Sequence, residues 1–204
     1  IKSACDRVGE FAPRVSLGTA APPPQSLLVL AHPGPLAPAD LVAVDAWVRS
    51  GGAAVVLADG LSSQRPPFPV GDPRNPPITS LLTPLLTHWG VALDAPPGMV
   101  ERRVTLWDQG QRLVFFSPGR LSVSGGTCQL SAQNIVARCA IGRGQVLIVA
   151  DADWLDASIW AGPTNAGRPA SWRAGNAQWL IDRMDDLTGQ ASVRPPLVRA
   201  LWRH

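Results

Sequence analysis

Two apolar runs fix most of what this chain can fold into. "SLLVLAH" begins at Ser26 and "AAVVLADG" at Ala53, and neither alternates polar with apolar side chains. A strand apolar at every position needs cover on both faces, which is the condition of a parallel sheet. Between them lies "PLAPADLVAVDAWVRSGG", with Pro38 in its first turn, Leu41, Val44 and Val48 at helical spacing, and Gly51 placed to end it. Strand, helix and strand in that order predict a parallel pair joined by a right-handed crossover, the unit of an α/β fold. "QVLIVAD", from Gln145, is a third continuous run. "GNAQWLIDRMDDLTG", with Leu180, Met184 and Leu187 on one side, reads as the closing helix.

The segments between these elements carry other signals. Ile1, Cys5, Val8 and Ala12 recur at helical spacing ahead of an extended "RVSL" and the Pro-rich "TAAPPPQS". "LSSQRPPFPVGDPRNPP", Leu61 to Pro77, is too rich in proline for regular structure, and a loop of that length usually shapes or covers a site, so it is the expected lid. "ITSLLTPLLTHWG" follows as a helix with Leu81, Leu82, Leu85 and Trp89 inward, shortened by Pro84 and stopped at Gly90. Short alternating runs from about residue 104 to residue 140 predict an antiparallel β meander inserted into the domain. Residues 1–190 then form one α/β domain and residues 191–204 a tail or linker.

Composition narrows the function classes. The chain has 204 residues, enough to bury a proper core. No apolar run approaches the roughly 20 residues of a membrane span. It does not begin with methionine, so a signal peptide or membrane anchor ahead of Ile1 is consistent with the reading. The net charge of +3 comes from scattered arginines, and there is no Tyr to build a stacking platform, so nucleic acid is not an expected partner. The oligomeric state is not legible.

Cys128 and Cys139 lie symmetrically about Gln133 and Asn134. If those two residues form a hairpin turn, the cysteines face each other across the strands, at a separation a disulfide spans. A disulfide is favoured over a pair of buried reduced thiols, and over zinc, for which no third Cys or nearby His is at hand. A disulfide implies a location outside the cytoplasm. Cys5 reads as a core residue.

Ligands of open α/β sheets gather beyond the carboxyl ends of parallel strands, and His32, Asp59, Asp151 and Asp153 each follow an apolar run. As a site they offer a possible general base in His32 and carboxylates for hydroxyls or a metal. As structure, Asp151 or Asp153 caps the short turn "ADWLDASIW" and Asn176 caps the last helix, and this reading needs no further assumption. His88, in the last turn of its helix, carries no assigned chemistry. No nucleophile elbow is present, since "ADGL" follows "AAVVL" with neither Ser nor Cys at its tip. "GRGQ" precedes a strand, whereas a phosphate loop follows one, so it is a turn. No catalytic residue, metal or cofactor is assigned.

Two longer segments carry a family likeness. "LLVLAHPGPLAPADLVAVDAWVRSGGAAVVLADG", and "IGRGQVLIVADADWLD" followed by an Asn-led helix, resemble GldG-like auxiliary proteins of ABC transport systems. The likeness covers roughly Ser26 to Leu187; Ala37 stands where Ser often caps the helix, and Gly60 where Pro follows the Asp. It implies a flavodoxin-like parallel sheet with helices on both faces, similar to class I glutamine amidotransferases without their Cys-His-Glu triad. It also implies a place beside a membrane anchor and a membrane-protein partner. The expected function is therefore a non-catalytic domain of a periplasmic or extracytoplasmic transport or envelope protein that binds a partner or small ligand, with His32, Asp59, Asp151, Asp153 and Asn176 as candidate ligand contacts. The alternative is a hydrolase or metal-dependent enzyme using His32, Asp59, Asp151 and Asp153. A third possibility is an interaction domain in which Trp154, Trp160 and Trp172 form an exposed apolar patch.

Overall fold

A computed structural model describes Pro22 and residues 26–99, 101–155 and 175–189. The expected first helix, Cys5, Trp160, Trp172 and the tail lie outside the described residues.

The first apolar run is strand β1 (Leu27–Ala31) and the second is β2 (Ala53–Leu57), paired in parallel with Leu27 opposite Ala53. Helix α1 (Pro38–Arg49) connects them, with Pro in its first turn, Val44 and Val48 buried, and Leu41 half-buried. Every residue of β2 is buried, which is why no polar residue interrupts it.

A short helix, α2 (Thr83–His88), leads into β3 (Val91–Asp94). Pro84 confines α2 to its expected second half, and Leu82, Leu85 and Trp89 are buried as expected, but Leu81 precedes the helix and is exposed. Strands β4 (Arg103–Asp108), β5 (Gln111–Phe116), β6 (Arg120–Val123), β7 (Cys128–Ser131), β8 (Val136–Ile141) and β9 (Gly144–Val149) follow, and helix α3 is Asn176–Thr188.

The main sheet has the order β1-β2-β9-β8-β7. It is parallel from β1 through β2 to β9 and antiparallel from β9 through β8 to β7. The expected meander over residues 104–140 is not one unit. Among the described residues its strands are shared out three ways: β4 and β5 pair with each other, β6 pairs with β3, and β7 and β8 extend the main sheet. The free edge of β9 accounts for the last of these, since an apolar strand end-on to solvent would leave its amides unpaired. Strand β3 was not anticipated; Val91 and Leu93 alternate there over only four residues.

The hairpin about Gln133 and Asn134 forms as expected, turning through left-handed Ala132, Gln133 and Asn134. Cys128 stands opposite Cys139 and the two are joined in a disulfide. Gly60, the departure from the family pattern, lies with its Cα against the Asp94 carbonyl and Ala95 backbone, where a Cβ would collide.

The disulfide closes a loop of 11 residues. Reduction is expected to cost about 2 to 3 kcal/mol of stability by releasing that constraint on the unfolded chain. Urea unfolding with and without reductant measures it, and an unchanged midpoint would mean that the cysteines are not bridged in solution.

Candidate functional site

His32 follows β1, Asp59 follows β2, and Asp151 and Asp153 follow β9, so the parallel order of these strands brings all four to one carboxyl edge. The three carboxylates are nearly enclosed: Asp59, Asp151 and Asp153 are 4%, 0% and 3% exposed. Buried carboxylates must find donors, and these find them mostly in the backbone.

Asp151 spans two segments. Its Oδ1 accepts the Trp154 amide at 2.9 Å, capping the 3-10 turn Asp153–Leu155, and its Oδ2 accepts the Phe116 amide of β5 at 2.7 Å. The expected capping role thus falls to Asp151. Asp153 faces the Pro-rich loop, where its Oδ2 accepts both the amide and the hydroxyl of Ser63. Asp59 Oδ1 accepts the Ala152 amide at 2.5 Å.

His32 sits in a left-handed conformation, φ 42°, unusual for a residue with a Cβ. Its own amide donates to the Leu57 carbonyl at 2.8 Å, so the turn is tied to β2. Its Nε2 is 2.8 Å from the Pro77 carbonyl oxygen. A carbonyl can only accept, so Nε2 carries the proton. Nδ1 then faces the Asp59 amide at 3.4 Å and the Asp59 Oδ2 at 3.6 Å. Asp59 Oδ2 and Asp153 Oδ1 are buried with no hydrogen-bond partner.

Asn176 does not cap α3. Gly175 holds the N-cap position, and the Asn176 side chain reaches β5, accepting from the Val114 amide at 2.9 Å and donating to the Val114 carbonyl at 2.8 Å. An amide side chain carries the same donor and acceptor as a strand residue, so Asn176 replaces the neighbour that β5 lacks. Gly175 and Asp151 complete that edge through Arg112 and Phe116. Beneath it, Phe115 stacks on Trp154 and Trp154 meets Trp179 edge-on, with centroids 5.7 and 5.5 Å apart. Trp154 is fully buried, so it contributes nothing to an exposed aromatic patch.

His88 joins Asp45, 3.4 Å away, in a separate surface cluster with Arg49 and Trp89. Burial acts to raise the Asp45 carboxyl, but hydrogen bonds from Trp89 and Arg49 outweigh it and hold the group below its ordinary range.

The charge balance at the sheet edge is unfavourable. Burial raises the Asp59 carboxyl, the Ala152 amide opposes this, Asp153 adds repulsion, and the group is pushed up to about 6. Asp151 is raised well above the ordinary carboxylate range, first by burial and then by the Asp59 charge, against the pull of the Phe116 and Trp154 amides. Among the described residues no group of three or more His, Cys, Asp or Glu is disposed to hold a metal ion. Ser63, Pro77 and the β5 amides escaped sequence reasoning: Ser63 and Asp153 stand 90 residues apart, beyond any local pattern.

Residues 12–99 match the auxiliary family described as ABC-type uncharacterized transport system. The match supports a transport-associated accessory domain, in line with the coarser part of the likeness read in the sequence. Among curated proteins, none matches the sequence. Among solved structures, the mmIFT52 N-terminal domain is 14% identical with a TM-score of 0.51, over 83% of this chain and 79% of that one. A cytoplasmic protein from Salmonella typhimurium LT2 is 12% identical with a TM-score of 0.47, over 79% of this chain and 71% of that one. Op5Man5, an exo-β-1,4-mannosidase from Opitutaceae bacterium strain TAV5, is 12% identical with a TM-score of 0.42; 88% of this chain spans only 26% of that one. At such identities the mmIFT52 likeness is one of fold alone.

Two measurements check this geometry. Asn176→Ala strips β5 of a donor and an acceptor and is expected to cost about 2 to 4 kcal/mol, because buried backbone groups lose their partners; a loss under about 1 kcal/mol in urea unfolding would refute the bracing role. Asp59 binds its proton more tightly folded than unfolded, so its contribution is fully present below pH 3.8 and is lost as pH rises through about 6. That rise corresponds to roughly 3 kcal/mol. Wild type is therefore expected to lose stability between pH 4.5 and pH 8 relative to Asp59→Asn, and parallel pH profiles for the two proteins would contradict the assignment.

Proposed function

We propose that this chain is a non-catalytic accessory domain of an ABC-type transport system, exposed on the extracytoplasmic side of a membrane, where it binds a membrane-protein partner or a small ligand. The observation that carries the reading is the family match over residues 12–99. The candidate catalytic groups support it by their occupations: Asp59, Asp151 and Asp153 each accept from backbone amides, and His32 holds a loop carbonyl. The disulfide fits an oxidising compartment. No helix among the described residues is long and apolar enough to cross a membrane, so any anchor would come from elsewhere. The parallel order β1-β2-β9 is what supports a flavodoxin-like, amidotransferase-like half-sheet with a GldG-like relationship.

One observation favours the second reading, a hydrolase or metal-dependent enzyme: four titratable side chains meet at the edge where α/β enzymes place their sites. Cross-linking in intact cells, followed by purification of the tagged chain under conditions that preserve its disulfide, separates the two. Recovery of the permease or ATPase subunits of a transporter, with the cysteines oxidised, is the expected outcome. A reduced cytoplasmic pool with no transporter subunit attached would overturn the proposal.

A further inference from the structure

We propose that residues 61–79 form a strap over the carboxyl edge of β1, β2 and β9, and that negative charge on the buried Asp59 beneath it releases it, leaving the edge covered in acid and open at neutral to alkaline pH. Each foot of the strap rests on a side chain at the sheet edge. At one foot, Ser63 donates its amide and hydroxyl to Asp153 Oδ2; at the other, the Pro77 carbonyl accepts from His32 Nε2 at 2.8 Å. Between them the strap closes on itself. The Ser62 amide donates to the Ile78 carbonyl at 2.7 Å, and Asn75 brackets the Phe68 amide and carbonyl and the Pro69 carbonyl. Arg74 pairs with Asp72 and lies 3.9 Å above the Phe68 ring. A loop so tied internally can lift as one body when its feet come free.

The groups that face the feet come from three strand ends: His32 after β1, Asp59 after β2, and Asp151 and Asp153 after β9. The strap brings Ser63 and the Pro77 carbonyl to the same place; of its charged residues, Asp72 and Arg74 pair with each other on the outer part and Arg65 is exposed to solvent, which screens its charge. Asp59 Oδ2 and Asp153 Oδ1 lie buried without a hydrogen bond. A second negative charge among these carboxylates is therefore poorly compensated while the strap is down, and lifting it admits water to all of them. The upward shifts of the Asp59 and Asp151 carboxyls point the same way.

Hydrogen exchange of the intact chain at pH 4.5 and pH 8, corrected for the chemical rate, reads the opening directly. The reporting amides are Ser62, Ser63 and Ser80, the last donating to the Asp59 carbonyl, and β2 serves as the internal control. Their opening constants are expected to rise at least about tenfold at the higher pH and to stay well above that of β2, which follows global unfolding. In Asp59→Asn the ratio should fall below about twofold. Ser63→Ala should raise exchange at both pH values and keep the wild-type ratio, because it weakens a foot without touching the charges. Equal opening at the two pH values in the wild type, a preserved ratio in Asp59→Asn, or unchanged protection in Ser63→Ala would each overturn the proposal.

Discussion

Backbone amides at the ends of strands and along an unpaired strand edge must be satisfied even where the chain is buried, and in this protein side-chain oxygens do it. The parallel strands stop at the same edge, and among the described residues β5 has a strand neighbour on one side only. Asp151 serves both needs with one carboxyl, and Asn176 supplies the rest of the β5 edge. The β4–β5 hairpin is thereby joined to the main sheet without sharing a strand with it. Trp179, donating to the buried Asp108 at 2.7 Å, and Asp182, accepting from Gln111 at 2.6 Å, fasten the same hairpin along α3.

This bracing changes what the convergence at the sheet edge means. In an α/β enzyme the side chains beyond the parallel strands are held ready for substrate. Here the same places are filled by residues whose polar atoms are largely engaged: Asp151 with two amides, Asp59 with one, Asp153 and His32 with the Pro-rich loop. The convergence follows from topology, and the engagement from burial. A transport-associated accessory domain is supported by the family match over residues 12–99.

Much of the frame was legible because it rests on local pattern. Continuous apolar runs marked β1, β2 and β9, proline and spacing marked α1, and the symmetric placement of Cys128 and Cys139 about Gln133 and Asn134 marked the hairpin and its bridge. The residues gathered at the sheet edge were legible for the same reason, since each directly follows such a run. What each one touches was not. Asn176 read as a cap because capping is a local habit of Asn, whereas its partner Val114 lies 62 residues away and is recognised only by its backbone. The sharing of the alternating strands among three sheets was likewise hidden: alternation tells a strand which face to bury and nothing about its neighbour.

The outermost strand of the main sheet, β7, is only four residues long and is bridged to β8 through Cys128 and Cys139. A strand at the end of a sheet is ordinarily the piece most easily peeled away and offered to another molecule. Tied covalently to its neighbour, it cannot be exchanged with a second copy while leaving its partner behind. The bridge is thus a guard against runaway polymerisation, placed at an end of the sheet from which such growth would start.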